Sequence, residues 1–172
     1  MIPPRQFVSH VIDPVLDRLA EVEPRMRSRA AQRLLLGTAI KESGLRELVQ
    51  RGGGSARSMF QIEPATFEDI YGRYIAHRHD IRDAVNSFVF RRLVPTDGWR
   101  PVQPIVDQLS GNQHLACAIA RIKFWMAPEP LPSPDDIDGL GAYWKTHYNT
   151  AGGAGAAEGW AEAFRENVPW VK

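Results

Sequence analysis

Residues 28–44 read Ser-Arg-Ala-Ala-Gln-Arg-Leu-Leu-Leu-Gly-Thr-Ala-Ile-Lys-Glu-Ser-Gly, and this stretch does most to decide the fold. We predict one helix from Ser28 to Glu42. Its apolar side chains fall on more than one side of that helix: Leu34, Leu35, Leu36, Ala39 and Ile40. A helix that is apolar on several sides is buried, and Gly44 is a residue type that ends helices. The stretch therefore predicts a central helix that stops just after Glu42.

Segments with helical spacing lie on both sides of this stretch, separated by clusters of proline and glycine. The predicted helices are residues 64–71, 80–92, 104–109, 114–126 (capped by Asn112), 134–147 and 156–167. Residues 7–19 form another apolar stripe, in which Asp13 and Pro14 predict either a kink or a helix start with Asp13 as the N-cap. Residues 50–61 give a weak signal for a short hairpin. We predict a mainly α, single domain over residues 1–172.

Composition excludes several classes of protein. The chain has 172 residues, of which 44% are hydrophobic and 24% charged, and its formal net charge is +1. These values are those of a folded globular protein with no polybasic signal for nucleic acid. A single cysteine, Cys117, excludes an internal disulfide and any site with several cysteine ligands. No run approaches the roughly 18 apolar residues of a membrane span.

Glu42 is the residue that suggests chemistry. It lies at the end of an otherwise apolar helix, where burial and the negative end of the helix dipole both disfavour the carboxylate. A carboxyl group that keeps its proton near neutral pH is what general-acid cleavage of a glycosidic bond requires. The alternative is a solvated glutamate in a fraying last turn.

Three short pieces follow one another along the chain: Glu42-Ser43, Ser58-Met59-Phe60-Gln61 and His147-Tyr148-Asn149. They resemble the Glu-Ser, Gly-Leu-Met-Gln and Ala-Tyr-Asn signatures of the lysozyme-like soluble lytic transglycosylase family. Residues 61–66, 112–122 and 148–152 are also similar to patterns of that family, so the resemblance covers about residues 34–164. The chain departs from it where serine replaces the glycine, where Met and Phe are exchanged, and where histidine replaces the alanine.

The resemblance implies a lysozyme-like, goose-type fold and assigns roles to individual residues. Glu42 would be the catalytic acid and then the base. The implied substrate-binding residues are Ser43, Ser58, Met59, Gln61, Tyr148 and Asn149. In particular, the Tyr148 hydroxyl would lie near Glu42 and orient it, and the Gln61 amide would position sugar or glutamate.

The same residues also have ordinary structural interpretations. Ser43 is equally consistent with a polar residue at a helix end, and Gln61 with a capping residue ahead of Pro64. Tyr148 is consistent with a buried hydroxyl that has found a partner. Asn149 is favoured as the residue that closes a helix before a glycine-rich loop.

A hydrolase with two carboxylates would need a second one about 5–9 Å from Glu42. The carboxylates nearest to the signature pieces in sequence are Glu47, Glu63, Glu68 and Asp69. None lies in a recognisable second-carboxylate motif, and Glu63, directly before Pro64, is predicted to be an acid at a helix start. Trp99 is a candidate for a wall of the sugar groove. His77 and His79, two residues apart on a loop, are a poor ligand set and predict a solvated turn and no metal site.

By resemblance, the chain cleaves the β-1,4 bond between N-acetylmuramic acid and N-acetylglucosamine in peptidoglycan and forms 1,6-anhydro ends without a cofactor. A lysozyme-type muramidase that uses water, a non-catalytic virion or wall-binding protein, and a small helical adaptor remain alternatives. The N-terminus lacks the pattern of a signal peptide. We therefore expect a phage-encoded protein, either an endolysin or borne on the virion with virion proteins as partners. It would stay in the virion or the host cytoplasm until it acts on the cell wall.

Overall fold

The computed structural model describes residues 1–90, 105–149 and 155–171, and these ranges are mainly helical. The α-helices are α1 (Pro4–Phe7), α2 (Asp13–Ala20), α3 (Arg29–Ser43), α4 (Pro64–Arg73), α5 (His79–Asn86), α6 (Gln113–Trp125), α7 (Ile137–His147) and α8 (Ala157–Asn167). A π-helical turn (Val8–Ile12) joins α1 to α2, and 3-10 turns occupy Pro24–Met26, Ile75–His77 and Asp107–Ser110. In the described ranges, β pairing is limited to two isolated bridges, Val49 to Arg57 and Arg57 to Ile62. The weakly signalled hairpin is thus reduced to two bridges.

The predicted central helix is confirmed. Ser28 caps α3 by accepting a hydrogen bond from the Ala31 amide at 3.0 Å. Gly44 ends the helix in the left-handed region, with φ of 59°. Eleven residues of α3 are buried, and the helix packs against α6, α7, α8 and the π-helical turn. The end of this rigid helix is where Glu42 lies.

The α3–α8 contact is very close because Gly37 has no side chain. A Cβ atom at Gly37 would overlap the indole ring of Trp160 on α8, and that indole is fully buried. Gly141 allows a similar approach from α7, where a Cβ would lie 2.8 Å from the Ala157 carbonyl oxygen. Glycines on α3 and α7 therefore set how near α8 comes to the centre of the fold.

Pro14 does not start a helix. The chain stays helical from α1 through the π-helical turn into α2, and Asp13 is not an N-cap. Pro14 has no N–H group to offer the His10 carbonyl, and the His114 ring donates to that oxygen instead at 2.8 Å. Asp13 accepts a hydrogen bond from the side chain of Gln32 at 2.6 Å. Of the two alternatives at Asp13-Pro14, the helix start with Asp13 as the N-cap is wrong, because α3 and α6 supply partners that let the helix continue.

The helix predicted over residues 80–92 is shorter than expected, because α5 ends at Asn86. The Asn112 side chain donates to the Phe88 carbonyl at 2.6 Å, and the Gln108 side chain accepts from the Phe90 amide at 2.8 Å. These long-range bonds replace the hydrogen bonds of further helical turns. Residues 91 and 92 lie outside the described ranges.

The other predicted helices are present, except that the segment predicted over residues 104–109 contains a 3-10 turn at Asp107–Ser110 and its residue 104 lies outside the described ranges. Asn112 caps α6 by accepting from the Leu115 amide at 3.0 Å, as expected. The helix predicted from residue 134 begins at Ile137, because the Asp136 side chain caps it through the Gly139 amide at 2.8 Å. Among the described residues, none of the helices combines the length and apolarity needed to cross a lipid bilayer.

Candidate functional site

A groove of about 1170 Å³ opens at the C-terminal end of α3. One wall is the segment from Arg46 to Thr66, and the other is formed by α6 and the end of α7. The lining side chains that carry charge are Lys41, Glu42, Arg46, Glu47, Arg51, Glu63 and Lys123. Neutral polar and aromatic groups complete it: Gln50, Gln61, Thr66, Trp144, Tyr148 and Asn149. The volume exceeds that of most small-molecule pockets, and most of the lining side chains are polar or charged.

Glu42 lies in the last turn of α3, half-buried at the floor of this groove. Burial raises the pKa of Glu42 to about 7. The Trp144 indole N–H, which donates to Glu42 Oε1 at 3.2 Å, moderates this rise, as do the nearby positive charges of Lys123 and Lys41. The raised pKa confirms the expected direction, and burial is its main cause. Near neutral pH, Glu42 is therefore divided between the acid and the carboxylate.

Tyr148 does not contact Glu42 in the way expected. It is buried, and its hydroxyl donates to the Phe60 carbonyl at 2.7 Å. The structure thus corrects the prediction that this hydroxyl orients the glutamate. Instead, Tyr148 connects the end of α7 to the turn that contains Phe60, across the base of the groove. The Trp144 indole makes the hydrogen bond to Glu42 that the family resemblance implied for the tyrosine.

Ser43 and Met59 are structural in this conformation. The Ser43 hydroxyl donates to the Ala39 carbonyl at 2.8 Å and lies 3.5 Å from the Met59 sulfur. Ser43 is at the border of the groove but buried, whereas Met59 is buried and outside the lining. Ser43 therefore fits its alternative interpretation, a polar residue at a helix end. The expected substrate contact from Met59 is wrong for this conformation, because apolar burial turns its side chain inward.

Ser58 is also turned inward, which contradicts its predicted contact with substrate. It is fully buried, and its hydroxyl accepts a hydrogen bond from the Phe60 amide at 3.2 Å. Its φ is 70°, in the left-handed region that favours glycine. The hydroxyl bond within the turn helps a serine to occupy a position of this kind.

Gln61 and Asn149 both line the groove, as predicted. The Gln61 side chain donates to the Ser58 carbonyl at 2.8 Å, and its backbone is also left-handed, with φ of 47°. The residue at the N-cap of α4 is Glu63, so Gln61 is not that cap. The backbone N–H of Asn149 donates to the Trp144 carbonyl at 3.1 Å. Asn149 therefore closes the helix, as expected, and it also lines the groove.

Lys123 is a site residue that the sequence analysis missed. It lines the groove from α6, where its ammonium donates to the Tyr148 carbonyl at 2.9 Å. A sequence signal existed, because Lys123 lies four and eight residues after Ile119 and Leu115, on the apolar face of the helix. Trp144 was also missed, although it precedes Tyr148 by four residues and so shares its face of α7.

Two further carboxylates lie in the same groove. Glu47 accepts hydrogen bonds from Arg51 at 2.6 and 3.0 Å, so the two charges largely compensate each other. Glu63 accepts from the Ser55 hydroxyl. It occupies the N-cap of α4, as expected of an acid at a helix start, but its side chain does not cap the helix.

Trp99, the predicted groove wall, lies outside the described residues. Within residues 1–90, 105–149 and 155–171, no three His, Cys, Asp or Glu side chains are grouped so that they could hold a metal ion. Comparison of the chain with protein-family models, with curated proteins and with solved structures found no match.

Proposed function

We propose that the chain is a peptidoglycan lytic transglycosylase with a lysozyme-like fold, in which Glu42 is the general acid and then the base. The observation that carries the proposal is a half-buried carboxyl whose pKa is about 7 at the floor of a polar groove. A carboxyl of this kind holds a proton at neutral pH and can release it to a leaving group. The three short sequence pieces that resemble the transglycosylase family add independent support.

The chemistry follows from a single glutamate. Protonated Glu42 donates its proton to the oxygen that links N-acetylmuramic acid to N-acetylglucosamine, and the glycosidic bond breaks. The substrate's own N-acetyl group stabilises the positive charge that develops on the sugar. The Glu42 carboxylate then takes the proton from the muramoyl 6-hydroxyl, whose oxygen bonds to the anomeric carbon and closes the 1,6-anhydro ring. Because attack is intramolecular, its entropic cost is small, and no water is consumed.

The neighbours of Glu42 suit this cycle. Trp144 donates a hydrogen bond to Glu42 and stabilises its carboxylate. Gln61 and Asn149 offer amide groups to the sugar hydroxyls and N-acetyl groups of a glycan strand. Ser58 has a left-handed backbone at the position where the family signature has glycine. This conformation is consistent with a turn at residues 58–61 like the one that the signature describes. The proposal needs no metal or organic cofactor.

The setting that we propose is a phage. In this proposal the protein is an endolysin or is carried on the virion among virion proteins, and it meets its substrate in the cell wall. The partners are peptidoglycan glycan strands.

The test is the clearing of purified sacculi by the wild type and by Glu42→Gln, which keeps the shape of the side chain and loses the titrating proton. The matched control is Glu68→Gln, since Glu68 is exposed on α4 and does not line the groove. We expect clearing by the wild type and the control, and at least a ~10²-fold loss in Glu42→Gln. Binding of sacculi by the wild type without clearing would assign a wall-binding role instead.

A muramidase that uses water is the second candidate, and the carboxylates of Glu47 and Glu63 in the same groove favour it. Either could activate a water molecule opposite the leaving group. Mass analysis of the products separates the two reactions, because an anhydro end is lighter than a reducing end by one water molecule. A transglycosylase gives anhydro ends and tolerates Glu47→Gln and Glu63→Gln. A muramidase gives reducing ends and loses activity in one of the two variants, Glu47→Gln or Glu63→Gln.

A further inference from the structure

Lys123 is an uncommon residue for its position. It is half-buried on α6, whose neighbouring residues from Leu115 to Ile122 are all buried. Its ammonium donates to the Tyr148 carbonyl at 2.9 Å and lies 4.1 Å from the centre of the Tyr148 ring. A lysine is costly to bury, and most of these neighbours are apolar, although Arg121 among them is also buried. The position therefore suggests a role for its charge.

The groups that act on Glu42 come from three helices. Trp144 on α7 donates its indole N–H to the carboxylate. Lys123 on α6 and Lys41 on α3 each favour the charged form of Glu42 through their positive charge, and the contribution of Lys123 is the larger. Tyr148, at the end of α7, has committed its hydroxyl to a backbone carbonyl. Lys123 and Glu42 line the same groove, and among the described cations Lys123 has the larger effect on Glu42.

The other charged side chains around the groove are paired, hydrogen-bonded or exposed to solvent. Arg51 is paired with Glu47, and Glu63 accepts from a serine hydroxyl. Arg46 is exposed at the edge, where solvent screens its charge. The ammonium of Lys123, by contrast, is held in place by the Tyr148 carbonyl at the end of α7, on the same wall of the groove.

We propose that Lys123 is a positioning residue that stabilises the Glu42 carboxylate after the proton has left. This inference rests on the proposed function and deepens it. An ammonium has three donors, and the Tyr148 carbonyl uses one of them. The fixed charge lowers the free energy of the intermediate in which Glu42 is ionised and must next act as a base. The coupling is mutual: burial lowers the pKa of Lys123, and the charge of Glu42 opposes that change.

The test reads the ionisation of Glu42 directly. The Trp144 indole N–H donates to Glu42, so its NMR signal reports the protonation of that carboxyl as pH is varied. Lys123→Gln removes the charge and keeps a donor for the Tyr148 carbonyl, Lys123→Met removes both, and Lys123→Arg keeps the charge. Lys145→Met is the control for net charge, because Lys145 does not line the groove.

We expect the titration midpoint of Glu42 to rise by about one pH unit in Lys123→Gln and Lys123→Met. It should stay near the wild-type value in Lys123→Arg and Lys145→Met. A folded Lys123→Gln variant with an unchanged midpoint would overturn the proposal. An equal rise in Lys145→Met would also overturn it, since the effect would then be one of overall charge.

Activity gives the second readout. Cleavage requires protonated Glu42, so the alkaline limb of the pH–rate profile should move upward with the midpoint, while the maximal rate of Lys123→Gln falls about tenfold or more. A maximal rate equal to the wild type would contradict a role in the base step. An inactive wild type would contradict the proposed enzymatic function. It would leave the test of Lys123 intact, because the NMR titration does not depend on turnover.

Discussion

Replacing Glu42 by glutamine is expected to stabilise the folded protein, by an amount that grows as the pH rises. Burial raises the pKa of Glu42 from an ordinary value near 4.5 to about 7 in the folded state. The folded chain therefore binds this proton more tightly than the unfolded chain does. Above pH 4.5 the unfolded state loses the proton first, so folding becomes less favourable until the pH passes about 7. Glutamine does not titrate, so the variant escapes this loss.

The magnitude follows from the same values. A tenfold difference in proton affinity corresponds to about 1.4 kcal/mol, so the wild type loses about 3 kcal/mol of unfolding free energy between pH 4 and pH 8 through Glu42. We expect the stability of Glu42→Gln minus that of the wild type to increase by this amount over that range. Urea denaturation at a series of pH values measures the difference.

The matched control is Glu68→Gln, whose exposed side chain on α4 lies away from the groove. The difference between this variant and the wild type should stay nearly constant over the same pH range. If the difference for Glu42→Gln is equally constant, Glu42 is solvated and cannot hold a proton at neutral pH. That result would refute the physical basis of the proposed acid.

Three other substitutions test separate contacts. Trp144→Phe removes the indole donor and should raise the titration midpoint of Glu42, measured by NMR of the carboxyl group. An unchanged or lower midpoint would contradict the hydrogen bond. Tyr148→Phe leaves the Phe60 carbonyl without its donor and should lower the free energy of unfolding by about 1–3 kcal/mol, measured by urea denaturation. The titration midpoint of Glu42 should change little. An unchanged free energy of unfolding would count against the contact between the hydroxyl and the carbonyl. Gly37→Ala would place a Cβ atom inside a buried tryptophan ring and should cost about 1–3 kcal/mol or more. An alanine variant of wild-type stability would show that α3 and α8 are not in close contact.

Most of the helices were predictable because their apolar side chains repeat at helical spacing. The central helix α3 and the Asn112 cap of α6 were read directly from the sequence and are present. The errors occur where distant residues supply hydrogen bonds. His114 supplies a donor beside Pro14, and Gln108 and Asn112 bond the chain beyond α5. Such partners are separated by 18 or more residues and leave no periodic signal.

The site was predictable only in part for the same reason. The position of Glu42 follows from one helix and its stop signal, so its burial and raised pKa could be anticipated. The partner of the Tyr148 hydroxyl depends on how the end of α7 meets the turn at Phe60, which no local pattern specifies. Lys123 was visible as a charge on an apolar helix face, but its approach to Glu42 depends on the packing of α6 against α3.

The most direct measurement is the rate at which the purified protein forms 1,6-anhydro-muramoyl ends on isolated glycan strands near neutral pH, with the wild type and Glu42→Gln assayed side by side. A mass spectrometer counts the anhydro and the reducing ends in one digest. The account predicts anhydro ends from the wild type and a rate at least ~10²-fold lower from the variant. Equal rates from the two proteins, or intact strands after prolonged incubation with the wild type, would contradict it.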